Sequence, residues 1–240
     1  MTAVAASGVA PVALLRLLSL GLAAPTRERL AEVRALLRGL AGRGEARAEL
    51  AALARALRGQ TAETLAPAYE RLFGGAVALA PTEASYEADP FRQARQIADV
   101  AGFYRAFGAD PRGPAAERPH HAGCELEFLA FLGARRLAAE EAGRAEEADR
   151  CREIEDAFLR EHAGRWLPEF FRALAAADGG WYGALGRLGE LALRGELERR
   201  AIEPESVGPR ARRLAVEADE LRCAAASEQV APLLPGRRSR

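Results

Sequence analysis

The 240-residue sequence contains no lysine and no asparagine, one methionine, three histidines and three cysteines. Without lysine, Schiff-base chemistry and a phosphate-reaching P-loop are excluded. Cys124, Cys151 and Cys223 are odd in number, widely spaced and form no CxxC pair. They offer no disulfide framework and suit a reducing compartment, so a cytoplasmic location is expected. Long apolar runs are missing too: no stretch reaches the roughly 18 uninterrupted apolar residues of a membrane span. Stable membrane insertion is not expected.

Neither sign of charge is in excess. Basic and acidic residues number 34 each, and every basic one is arginine. A nucleic-acid surface needs a clustered positive surplus, which no long segment supplies, so no nucleic-acid partner is expected. The Gly-x-Ser-x-Gly elbow, the HExxH zinc motif and the P-loop are all absent. The chain does not read as an enzyme, and no cofactor is expected.

What the sequence does have is apolar residues at helical spacing almost throughout, without the alternation and β-branched runs of strands. The fold class is all-α: a single helical bundle of about ten helices spanning residues 1–240. The apolar start, Val9 to Ala24, is interrupted by Arg16 and lacks a basic lead-in, so it reads as a helix rather than a secretory signal. Thr26 caps a helix running to Leu40, and another follows from Glu45 to Leu57. Thr61 caps a segment ending at Phe73 before paired glycines, with Pro67 beginning or kinking its regular part. Asp89-Pro90 is an N-cap followed by proline at the first helical position. The helix it opens carries Ile97, Val100, Ala101, Tyr104 and Phe107 at spacings of three and four, and a central position is expected for it.

Residues 108–120 are rich in glycine and proline, and form a hinge between an N-terminal part (1–107) and a C-terminal part (121–200). Helices are expected near 121–141, 145–163, 167–177 and 181–197, the third starting at Pro168. A charged helix near 209–228 and a tail complete residues 201–240. Gly183, Gly186 and Gly189 recur every three residues in a helical pattern, which points to a close helix–helix contact rather than a phosphate cradle.

One dense polar cluster, Glu117 to Phe128, lies at the hinge. On the helix that starts there, His121, Cys124 and Glu125 share a face. With His162 they make a possible zinc set, the alternative reading being a metal-binding helical sensor or enzyme. The plainer reading is a hydrogen-bonded His121–Glu125 pair with Cys124 packed as a small hydrophobe, and no metal. A second segment, His162 to Phe170, reads as an inter-helix corner with Trp166 in the core.

These segments carry a family resemblance that runs from about Leu14 to about Leu197. Tyr69-x-x-Leu72-Phe73, the Pro81 and Tyr86 loop and Val100 to Gly108 each contribute a weak signal. More specific are Glu117-Arg118-Pro119-His120-His121 leading into Glu125-Leu126-Glu127-Phe128-Leu129, and His162-x-x-x-Trp166-x-Pro168-x-Phe170. Together they resemble the TorD/DmsD/NarJ family of molybdoenzyme maturation chaperones. His120 stands where that family usually has aspartate, and Ala163 where it usually has leucine.

The resemblance implies a non-enzymatic chaperone whose partner is the catalytic-subunit precursor of a molybdenum-cofactor oxidoreductase of the dimethyl sulfoxide reductase superfamily, bound through its twin-arginine signal peptide and apo-form. Assistance in cofactor insertion and proofreading of export are implied with it, in a monomer or a domain-swapped dimer. The expected binding residues are Tyr69, Leu72, Phe73, Tyr86, Glu117, Pro119, His120, His121, Glu125, Phe128, His162 and Trp166. Such a ligand presents arginines and an apolar stretch, so its holder needs carboxylates beside an apolar groove. Glu127 is expected on a solvated helix face.

Overall fold

The computed structural model describes residues 3–42, 44–74, 79–109, 119–205 and 207, with backbone alone for 3–9. Among them are nine α-helices: α1 (Ala3–Leu22), α2 (Arg27–Leu40), α3 (Arg47–Ala56), α4 (Ala62–Phe73), α5 (Pro90–Ala106), α6 (Ala122–Glu141), α7 (Ala145–Phe158), α8 (Gly164–Ala177) and α9 (Trp181–Arg199). A 3-10 turn at Glu83–Tyr86 precedes α5, and a π turn at Leu159–Ala163 joins α7 to α8. No strand occurs among the described residues, and the all-α class holds. Most of the expected hinge, Glu117, Cys223, the helix near 209–228 and the tail lie outside the described residues.

Local chemistry sets the helix starts. Thr26 accepts from the backbone N–H of Arg29, Thr61 and Thr64 close a capping box, and Asp89 accepts from Phe91 with Pro90 at the first helical position. The apolar start folds as α1, whose Leu17 and Leu18 are fully buried, and packs along α6. No helix among the described residues is long and apolar enough to cross a membrane.

The core lies where α6 packs between α1 and α7, and where α8 lies along α9. The glycine series on α9 makes that last contact. A Cβ on Gly186 would come within 2.4 Å of the Ala175 backbone nitrogen, and one on Gly189 within 2.3 Å of the Phe171 ring. Across this contact Trp166, Phe170, Phe171 and Leu174 are sealed from solvent, each worth roughly 1.5–3 kcal/mol of burial.

Two expectations change. α5 is peripheral, not central: Val100 and Tyr104 are its buried residues, its main packing is against the 3-10 turn, and Phe91 is 88% exposed. A stripe of spaced apolar residues shows a helix face without showing how much of the face is covered. The corner before α8 is continuous rather than broken at Pro168. The N–H of Gly164 donates to the carbonyl oxygen of Leu159, five residues back, so the chain passes through a π turn and α8 begins at Gly164. A Cβ at Gly164 would lie 2.3 Å from that carbonyl oxygen, so glycine allows the turn.

Candidate functional site

Pro119 to His121 enters α6 by pairing with the loop before α5. Glu83 N–H donates to the His120 carbonyl oxygen and Ala122 N–H to the Pro81 carbonyl oxygen, both at 2.9 Å, making an isolated antiparallel bridge between Thr82 and His121. The Tyr104 hydroxyl donates to the Pro119 carbonyl oxygen at 2.7 Å. Burial, and next the Glu125 carboxyl, push the Tyr104 phenol far above its ordinary pKa, so it stays a donor. The segment entering α6 is thereby tied to α5.

His121 is the N-cap of α6: its Nδ1 accepts from the Gly123 N–H at 3.0 Å. That bond needs a bare ring nitrogen, and burial lowers the His121 pKa to about 4. One turn on, Glu125 is fully buried, and its Oε2 accepts from the indole N–H of Trp166 at 2.9 Å. Its Oε1 is sealed and makes no hydrogen bond. Burial, then the nearby Glu83 charge, raise the Glu125 pKa well above the usual carboxylate value, against the lowering effect of Trp166.

His162 sits in the π turn. Its Nδ1 lies 3.2 and 3.3 Å from the two carboxylate oxygens of Glu83, which is itself buried. Its ring is packed against Phe103 and Phe158, with centroids at 5.3 and 5.2 Å. Its Nε2 is directed toward Asp99, whose Oδ2 is 3.6 Å away. Trp166 carries the contacts on: its ring meets Tyr86 at 5.2 Å and Phe170 at 5.6 Å, and Phe170 meets Phe73 at 6.5 Å.

The structure divides the sequence-expected residues in two. Leu72, Tyr86, His120, His121, Glu125, Phe128, His162 and Trp166 are buried, so they hold the fold around the bridge rather than line an open groove. Tyr69 and Phe73 on α4 and Pro119 are half-buried. The rings of Tyr69 and Phe73 stack at 5.2 Å over Tyr182, beside an Arg71–Asp178 ion pair of 2.9 Å. Glu127 is on the surface and pairs with Arg16 at 2.6 Å.

The set His121, Cys124, Glu125 and His162 does not assemble as metal ligands among the described residues. His121 and Glu125 are committed to the cap and to Trp166, and the side chains converging on His162 are Glu83, Asp99 and Glu161. Reading the sequence missed these three carboxylates. A Pro81–Tyr86 loop gives no sign that its one glutamate will be buried against a histidine 79 residues away.

The family model described as nitrate reductase delta subunit matches residues 41–172, from before α3 into α8. The chain is also 40% identical over 97 residues to the selenate reductase assembly chaperone protein of Thauera selenatis. That match takes in 39% of this chain and spans about half, 49%, of the relative's length. Residues 41–172, more than half of the sequence, contain the Thr82–His121 bridge, the buried Glu83, Glu125 and His162, and the Tyr69–Phe73 ring pair. The chain belongs to the nitrate reductase delta subunit family, the NarJ/TorD-type assembly chaperones, which are not enzymes.

Proposed function

We propose that this chain is a cytoplasmic assembly chaperone for the catalytic subunit of a molybdenum-cofactor oxidoreductase of the dimethyl sulfoxide reductase superfamily. It binds the apo-subunit and its twin-arginine signal peptide, keeps the subunit ready for cofactor insertion, and delays export until loading is complete. The observation that carries this reading is the family match over residues 41–172, which the 40% identity over 97 residues to a selenate reductase assembly chaperone supports.

The half-buried rings of Tyr69 and Phe73 are where the apolar stretch of such a peptide docks, because a ligand reaches them without opening the core. Asp178, next to them and already paired with Arg71, offers a carboxylate to a peptide arginine. Glu125, His162 and Trp166 act from beneath by fixing the segments that enter α6 and α8. Exchange of the two parts between protomers would trade the Thr82–His121 bridge within one chain for the same bridge between two, giving a swapped dimer beside the monomer.

The test is isothermal titration of the chain with a synthetic signal peptide from a molybdoenzyme catalytic subunit of the same organism, and with the apo-subunit. Saturable binding of both is expected. A folded chain that binds neither ends the proposal.

A further inference from the structure

We infer that His162, Asp99 and Glu161 form a surface-edge binding site for a divalent transition-metal ion, zinc in particular, supported from below by Glu83. The ligand atoms of these three residues lie within 4.8 Å of one another. Two exposed carboxylates alone would be an ordinary acidic surface. What distinguishes this place is the imidazole: His162 is only 2% exposed, its Nε2 makes no hydrogen bond, and that nitrogen lies 3.6 Å from Oδ2 of Asp99.

The chemistry follows from the other face of the ring. A carboxylate accepts, so the contact with Glu83 places the proton on Nδ1 and leaves the lone pair of the neutral ring on Nε2. Carboxylate, histidine and metal in that order is the arrangement by which proteins orient a ligating imidazole and raise its basicity. Phe103 and Phe158 hold the ring from two sides. The imidazole is therefore in place before any ion arrives.

Geometry is close to what an ion requires. Zinc bonds of about 2.0–2.1 Å in a tetrahedron separate neighbouring ligand atoms by about 3.3 Å. The 3.6 Å from Nε2 to Asp99 Oδ2 is too long for a good hydrogen bond and within a few tenths of an ångström, roughly, of that separation. Glu161 is exposed, and its carboxylate already lies within 4.8 Å of the other two ligand atoms. Three carboxylates, Glu83, Asp99 and Glu161, surround one imidazole, so the local charge favours a dication. One nitrogen and two oxygen ligands leave a coordination position open, which makes this an exchangeable site and not a closed structural one. An ion here would clip α5 to the π turn, since Asp99 comes from the first and the other two ligands from the second.

Zinc is titrated into the full, untagged chain while the ring nitrogens of its three histidines are followed by nitrogen-15 NMR. We expect one equivalent to bind and the His162 Nε2 resonance to move as coordination requires, with His120 and His121 unchanged. Asp99→Asn and Glu161→Gln, both at exposed positions, should each weaken zinc binding roughly tenfold or more without altering the circular dichroism spectrum. Glu83→Gln should weaken it about tenfold through the ring, while Asp149→Asn, at an exposed carboxylate on α7, should leave it as it was. Absence of saturable binding, a response at His120 or His121 in place of His162, or unchanged affinity in the Asp99 and Glu161 variants would overturn the site.

Discussion

Trp166 donates its indole N–H to Oε2 of Glu125 at 2.9 Å, and both side chains are fully buried. The contact joins the first turn of α6 to the first turn of α8, 41 residues on. Trp166→Phe keeps an aromatic ring at this position and removes the donor, leaving both Glu125 oxygens without a hydrogen bond. The expected loss is about 1–3 kcal/mol in urea denaturation.

Glu125 also gives stability a pH dependence of definite sign. Its pKa is raised in the folded state, chiefly by burial and then by Glu83, with the Trp166 bond opposing and Tyr104 close by. The unfolded chain releases this proton near the ordinary value of 4.5, while the folded chain retains it to higher pH. Raising the pH above 4.5 therefore favours unfolding through this group. Glu125→Gln keeps an acceptor for Trp166 and removes the titration. The variant should gain stability over the parent as the pH rises from about 5 to about 8. A stability difference that stays constant over that range would contradict a raised pKa.

His121 works in the opposite direction. Its folded pKa falls from 6.5 to about 4 because the ring is buried, and its bare Nδ1 caps α6. The stability it contributes is complete above 6.5 and is lost as the pH falls toward 4, by up to roughly 3 kcal/mol. His121→Asn keeps a capping oxygen without the titration, so it should flatten the acid limb of a stability–pH profile. His121→Ala should instead lose about 1 kcal/mol at neutral pH with the cap.

Two glycine substitutions should have opposite signs. Gly186→Ala forces a Cβ against the Ala175 backbone and should lower stability by about 1–3 kcal/mol. Gly102→Ala lies within α5 where a Cβ meets nothing within 4 Å, and should raise stability by about 0.5–1 kcal/mol. Thermal denaturation of the two variants beside the parent decides both.

These residues show what a sequence makes legible. Asp89-Pro90, Thr26 and Thr61 announce their helices because caps act within three residues. The α9 glycines announce close packing because their spacing is helical. The Thr82–His121 bridge joins segments 39 residues apart by backbone bonds, which side-chain pattern does not encode. Glu83 and Glu125 carry the same letter as solvated glutamates such as Glu127, and only the packed fold separates them. The π turn depends on one close approach at Gly164, in a stretch whose proline draws the eye to a later start.

That separation of buried from accessible residues governs how the proposed peptide binding should be probed. Tyr86, stacked on Trp166 and 1% exposed, is a poor probe: Tyr86→Ala would leave a large cavity and lower stability whatever the ligand does. Tyr69 and Phe73 are half-buried and stack on one another, so truncating either tests the docking patch with less disturbance of the core. If they anchor the apolar stretch of a signal peptide, Phe73→Ala should cost about 1–3 kcal/mol of binding, and Tyr69→Ala a similar amount. Glu127→Ala should change affinity by less than about 1 kcal/mol, because its partner is Arg16 and the pair is exposed. Asp178 lies between these cases. It caps α9 by accepting from Gly180 and Gly183, so Asp178→Asn, which keeps a side-chain oxygen, is the suitable change. Binding of a peptide with its arginine pair replaced by glutamine should then be indifferent to Asp178→Asn, while binding of the native peptide should weaken. Isothermal titration of these variants, each checked by circular dichroism, reads the outcome. Equal affinity of Tyr69→Ala, Phe73→Ala and the parent for the native peptide would place the docking surface elsewhere on the chain.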